Sequence, residues 1–154
     1  MSQALLHPVT LTVDQAAILL YAQITDDFNP IHVDPDFAAT TPMGQVIAHG
    51  MLSANLIVQS IALSFGTARA SRSTLDIRFA RPVFAGDVVR AGGTEDAPGE
   101  GRFTVWVRKQ DGSAKGDWVV LQRALDRTAH AAGLVLALVG EIARLICCGA
   151  PCLH

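Results

Sequence analysis

Cysteine is nearly absent from this 154-residue chain: three occur, Cys147, Cys148 and Cys152, all within the last eight positions. None can staple the body of the fold, so its stability has to come from packing. Adjacent cysteines at a chain end, even with His154 beside them, lack the paired spacing of a zinc site, and no metal is expected there. Charge is scarce as well. Only 17% of the residues are charged and the formal net charge is -2, which gives no electrostatic reason to bind nucleic acid or an anionic membrane. A small ligand or a protein partner is the better expectation. Residues 1–8 lack the basic start and long apolar run of a secretory leader, which points to the cytoplasm. The run Ala131-Ala132-Gly133-Leu134-Val135-Leu136-Ala137-Leu138-Val139 falls short of the roughly 20 apolar residues that span a bilayer. No repeat or low-complexity linker is evident, and the length suits one domain with a real core.

What the chain does have is Asp27-Phe28-Asn29-Pro30-Ile31-His32, followed by His49-Gly50-Met51. Pro30 removes a backbone donor and biases Asn29 away from the α region, so this segment is expected to bend rather than form a helix, with Asp27 and His32 on either side. A carboxylate and an imidazole on one stiff turn can share a water and exchange its protons near neutral pH. His49 is open to two readings, a structural hydrogen bond at a helix start or a contact with substrate.

Around this motif, Thr12-Val13-Asp14-Gln15 has the form of a capping box and predicts a first helix over about 13–25. Asp34-Pro35 reads as an N-cap with proline at the first helical position. It opens a short helix through Phe37 and Ala38 that Pro42 and Gly44 end. From His49 to Leu63 the apolar residues spread around most of the helical circumference, which predicts a buried helix. Its polar residues Ser53, Asn55, Gln59 and Ser60 need partners: backbone, a subunit interface, or, for one of them, substrate.

The period then changes. Leu75, Ile77 and Phe79 alternate with polar residues, as do Phe103, Val105 and Val107, which predicts half-buried strands. Phe84-Ala85-Gly86-Asp87 reads as a turn into a strand over 88–91, residues 96–101 as an exposed loop, and Asp111-Gly112 as a hairpin before a strand over 118–121. Strands joined by short turns, with one buried helix to wrap, indicate an α+β domain whose antiparallel sheet curls around that helix.

The stretches Tyr21 to His32, Phe37-Ala38 and Val46 to Leu52, with a weaker one at Phe79 to Asp87, resemble the MaoC-like family of hot-dog-fold hydratases, which includes (R)-specific enoyl-CoA hydratases. The resemblance implies a single hot-dog domain over 1–122 that interconverts trans-2-enoyl-CoA and (R)-3-hydroxyacyl-CoA. It needs no cofactor, since CoA is part of the substrate, and acts as a cytoplasmic homodimer. By the resemblance Asp27 and His32 hold and activate water, the Gly50 amide donates to the thioester oxygen, Asn29 orients the bend and His49 is the further substrate-orienting residue. Glycine at position 50 is expected to let ligand approach the backbone closely.

Two features depart from the family pattern. Asp26 stands where glycine is common, and is expected to point to solvent. Residues 123–154 form an atypical tail, expected to be a helix packed on the domain or on a partner subunit. Other readings are a hydratase or dehydratase for another acyl thioester, such as a dicarboxylic acyl-CoA or an acyl-carrier-protein substrate, and a non-catalytic acyl-CoA-binding subunit.

Overall fold

Val9, Leu11 and Val13 alternate with threonines, and in the computed structural model this pattern is a strand, β1 (Val9–Val13), with the three apolar side chains buried and the threonines exposed. Residues 4–110 are described, together with the backbone of 119–122 and 125–126. Thr12 and Val13 therefore do not open the first helix. Helix α1 (Gln15–Thr25) starts after Asp14, whose carboxylate accepts from the Ala17 N–H at 2.7 Å and so caps the helix alone. The helix ends at Asp26, a non-glycine residue at φ 54°, and the Asp26 N–H donates to the Ala22 carbonyl.

The segment expected to be a non-helical bend is in part helical. Asn29 is the N-cap of α2 (Pro30–Val33), with its Oδ1 accepting from the Ile31 N–H at 3.2 Å and Pro30 in the first turn. Proline is excluded from helix interiors because it lacks an N–H, but first-turn N–H groups have no intrahelical acceptor, so at this position nothing is lost. Asp34 then caps α3 (Pro35–Ala39) through the amides of Asp36 and Phe37, as the sequence indicates.

The buried helix is α4 (Gly50–Phe65), entered from His49. Leu52, Leu56, Ile57 and Ile61 sit in the core with Ile18, Val89, Val105 and Val107. Each such side chain removed from water contributes on the order of 1.5–3 kcal/mol. A short helix, α5 (Thr67–Ala70), follows, then β2 (Ser73–Thr74), β3 (Ile77–Phe79), β4 (Asp87–Glu95), β5 (Phe103–Lys109), β6 (Val119–Gln122) and β7 (Leu125–Asp126).

Five strands form one antiparallel sheet in the order β1-β4-β5-β6-β3, and β2 pairs with β7. Helix α4 packs on β1, β4 and β5, so the sheet is wrapped about it as the α+β reading requires. In β5 the alternation holds: Phe103, Val105 and Val107 are buried. In β3 it fails, because Phe79 is half-exposed rather than in the core. The Asp111-Gly112 turn, Trp118, the three cysteines and the helix expected over 131–139 lie outside the described residues.

Candidate active site

The site gathers at the N-terminal end of α4, where the helix dipole is positive; of the first-turn amides, that of Leu52 donates to the His49 carbonyl at 3.0 Å. Residues 46–48 are tied down on both sides. The Ile47 N–H donates to Ile31 O at 3.2 Å, and the Ala48 N–H donates to Val83 O at 2.7 Å. Ile47 also bridges to Phe84, whose N–H donates to Asp87 Oδ2 at 3.0 Å, and the other Asp87 oxygen pairs with Lys109 at 2.5 Å. This lattice fixes where α4 begins.

His32, on α2, donates from Nδ1 to the Ile47 carbonyl at 2.8 Å. A carbonyl can only accept, so in the neutral ring Nδ1 carries the hydrogen and Nε2 presents its lone pair. His49 is 3% exposed and donates from Nε2 to the main-chain oxygen of Asp27 at 2.9 Å, with the Asp27 Oδ2 a further 3.9 Å from the same nitrogen. The two imidazoles stack at 3.9 Å between centroids, and the Tyr21 ring lies 5.0 Å from His49 on another side. Asp27 itself is held in an Asx turn, its Oδ1 accepting from the Asn29 N–H at 3.3 Å.

Burial pushes the His49 pKa below the ordinary histidine value, with the neighbouring His32 charge acting the same way, and the bond to the Asp27 carbonyl opposes both. Tyr21 is pushed up by burial, against a contact from Asn55 Nδ2 to its hydroxyl at 3.5 Å. Two buried acceptors or donors here have no partner among the described residues, His49 Nδ1 and Asn55 Oδ1.

One nitrogen from each histidine and one Asp27 oxygen lie within 4.8 Å of one another. Ligands of a single zinc ion stand about 3.4 Å apart at its usual bond lengths. Two groups bonded to one water stand about 4.6 Å apart. His49 Nε2 and Asp27 Oδ2, 3.9 Å apart, fall between these two spacings, and each histidine keeps one nitrogen beyond its carbonyl bond that can meet a shared water, a substrate hydroxyl or an ion.

A cavity of about 380 Å³ opens beside them, lined by His32, His49, Gly50, Ser53, Ile47, Met43, Phe79 and the 80–83 segment. Asp27 is not on its wall; its carboxylate is 53% exposed and lies 3.9 Å from Nε2 of His49, which does line it. The site thus brings together Asp27, His32, His49 and Gly50, with Asn29 beneath them as the α2 cap.

Tyr21, Ser53, Asn55 and Phe79 complete the surroundings; of these the sequence marks Ser53 and Asn55, among four polar residues of which one could face substrate. For Ser53 and Asn55 the signal was a polar side chain on an apolar helix. For Phe79 there was none, since alternation assigns it to the core. Ser60 proves structural, donating to the His7 carbonyl at 2.5 Å.

An antiparallel sheet folded about one buried helix, with this cluster at the helix tip, places the chain in the hot-dog class of domains. Within that class it belongs to the MaoC like domain family, whose model matches residues 1–115. Among curated proteins it is 38% identical over 76 residues to an (R)-specific enoyl-CoA hydratase of Aeromonas caviae, covering 49% of this chain and 57% of that one. It is 36% identical over 77 residues to a 3-hydroxybutyryl-CoA dehydratase of Methylorubrum extorquens, covering 50% and 49%. The chain thus matches about half the length of these relatives. The solved (R)-hydratase from A. caviae superposes with a TM-score of 0.62 at 28% identity, covering 80% of this chain and 94% of that one. The unliganded R-hydratase PhaJ1 from Pseudomonas aeruginosa, at 24% identity and TM-score 0.63, covering 85% and 97%, shares the fold.

Proposed function

We propose that this domain is an (R)-specific enoyl-CoA hydratase, a hydro-lyase that adds water reversibly to trans-2-enoyl-CoA. The observation that supports it most is the meeting of Asp27, His32 and His49 within 4.8 Å of one another beside a cavity that includes Gly50. Addition to a double bond conjugated with a thioester drives negative charge onto the carbonyl oxygen. The Gly50 N–H, at the first turn of a buried helix, is a preorganised donor for that oxygen. His32 Nε2 and the Asp27 carboxylate hold the attacking water between them. One takes its proton as oxygen attacks the β carbon, and a proton returns to the α carbon, giving the (R)-3-hydroxyacyl thioester with every atom of water retained. Asn29 caps the helix that carries His32, and His49 holds the Asp27 main chain and stacks on His32.

The chemistry calls for no redox cofactor, and CoA enters only as part of the substrate. We propose that the protein acts as a cytoplasmic homodimer; among the described residues β3 is an edge of the sheet, which a second copy would cover. Among the described residues no helix is long and apolar enough to cross a membrane.

Loss of enoyl-thioester absorbance with crotonyl-CoA, and chiral resolution of the product, test the reading. Turnover to the (R) product is expected. In Asp27→Asn and His32→Asn, kcat should fall by on the order of 10²–10⁴. Absence of turnover by the native chain, or formation of the (S) product, overturns the assignment.

A further inference from the structure

Phe79 is a large apolar side chain left 50% exposed on a three-residue edge strand, where it contributes little to the core. Its ring is nonetheless closely engaged. The atoms Cε1, Cζ and Cδ1 lie 3.0, 3.1 and 3.2 Å from the place a β carbon on residue 50 would occupy. The same ring lines the cavity with Gly50, His32 and His49. An aromatic edge therefore stands directly against the main chain that carries the expected oxyanion donor.

We infer that Phe79 is a specificity-determining residue: its ring walls the pocket at the α carbon of the bound enoyl thioester and excludes substrates branched at that carbon. The inference rests on the hydratase reading above. A thioester oxygen accepting from the Gly50 N–H sits about 2.9 Å from that nitrogen. The carbonyl carbon and the α carbon follow within two bonds of the oxygen, so both lie close to Gly50. A flat, unbranched enoyl group can slide along the ring. A methyl on the α carbon needs its own separation of about 3.5–4.0 Å from the ring carbons, and the start of α4 already limits the ring on one side. Met43, the flexible side chain on the same cavity, leaves the distal acyl chain less constrained.

The experiment compares kcat/KM for crotonyl-CoA and for its 2-methyl analogue in the native protein, Phe79→Leu and Phe79→Ala. The native protein should hydrate the unbranched substrate and strongly disfavour the methylated one. The ratio of methylated to unmethylated kcat/KM should rise at least about tenfold in Phe79→Ala, and by less in Phe79→Leu, the range expected when one methyl group decides a fit. Because both substrates report on the same enzyme preparation, a general loss of folding or assembly leaves the ratio untouched. If Phe79→Ala does not fold, the ratio in Phe79→Leu decides. An unchanged ratio in the folded variants, or a native protein that accepts both substrates equally, overturns the role of Phe79 while leaving the hydratase reading standing. A native protein inactive on crotonyl-CoA overturns the hydratase reading instead.

Discussion

His49 donates from Nε2 to the main-chain oxygen of Asp27 at 2.9 Å, joining two residues 22 positions apart. The same ring stacks on His32 at 3.9 Å, so one buried imidazole braces both members of the proposed catalytic pair. Replacing it with alanine removes the bond to Asp27 and leaves space beside His32. His49→Ala should cost about 1–3 kcal/mol in chemical denaturation, from the lost hydrogen bond and the cavity left by a buried ring. It should also lower kcat more than it raises KM. A stability loss without any change in kcat would show that the brace serves the fold alone.

The same ring predicts a pH dependence. Its folded pKa lies below the unfolded histidine value near 6.5. Between those two values the unfolded chain binds the extra proton, so the stability that neutral His49 brings is complete above about pH 6.5 and falls as the pH drops through that window. Tyr21, pushed up from 10, has its effect only in strongly alkaline solution. Asp27, His32 and Tyr21 all face the ring. Urea midpoints measured at pH 7.5 and 5.5 should fall on acidification in the native protein, and fall less in His49→Gln. Equal falls in both proteins would place the dependence elsewhere.

At position 50 the structure adds a second reason for glycine. Besides the room for ligand that the sequence suggests, the space where a β carbon would stand meets the Phe79 ring at 3.0 Å. Gly50→Ala should therefore destabilise by about 1–3 kcal/mol through overpacking, although alanine is otherwise the better helix former. Adding Phe79→Ala should recover most of that loss. The coupling measured by a double-mutant cycle of thermal or chemical unfolding should lie within about 0.5–3 kcal/mol. Strict additivity would mean that the ring simply swings aside.

Elements defined by a local period were legible in the sequence. Helix α4 is apolar all round because it is buried by β1, β4 and β5, and β5 alternates because one face meets that helix. Helix α2 is hidden in the sequence because proline breaks a helix everywhere except its first turn, and a four-residue helix has no period to show where that turn lies. Strand β1 competes with a second local signal: Val9, Leu11 and Val13 alternate cleanly, but Thr12-Val13-Asp14-Gln15 also fits a capping box. The residue types of the proposed site, Asp27, His32 and His49, stood out through their motif. Their meeting did not, since the bond from His49 to Asp27 and the ring of Phe79 on Gly50 join distant segments that no local pattern encodes.

Asp26 offers a test of the boundary between conformation and chemistry. It is exposed, as expected, and lies in the left-handed region at φ 54° while capping α1. A left-handed residue with a β carbon is disfavoured by roughly 1–2 kcal/mol, and least so for asparagine and aspartate, whose short polar side chains bond locally. Glycine suits this position for the same reason. Asp26→Asn and Asp26→Gly should both keep native turnover and stability within about 1 kcal/mol, glycine trading relief of strain against greater freedom in the unfolded chain. A β-branched residue has neither remedy. Asp26→Val should destabilise by more than the other two and, because Asp27 follows directly, should also reduce kcat. Measured together, the three variants separate a backbone requirement at position 26 from a role for its carboxylate. If Asp26→Asn lost as much activity as Asp27→Asn, the charge itself would be part of the site.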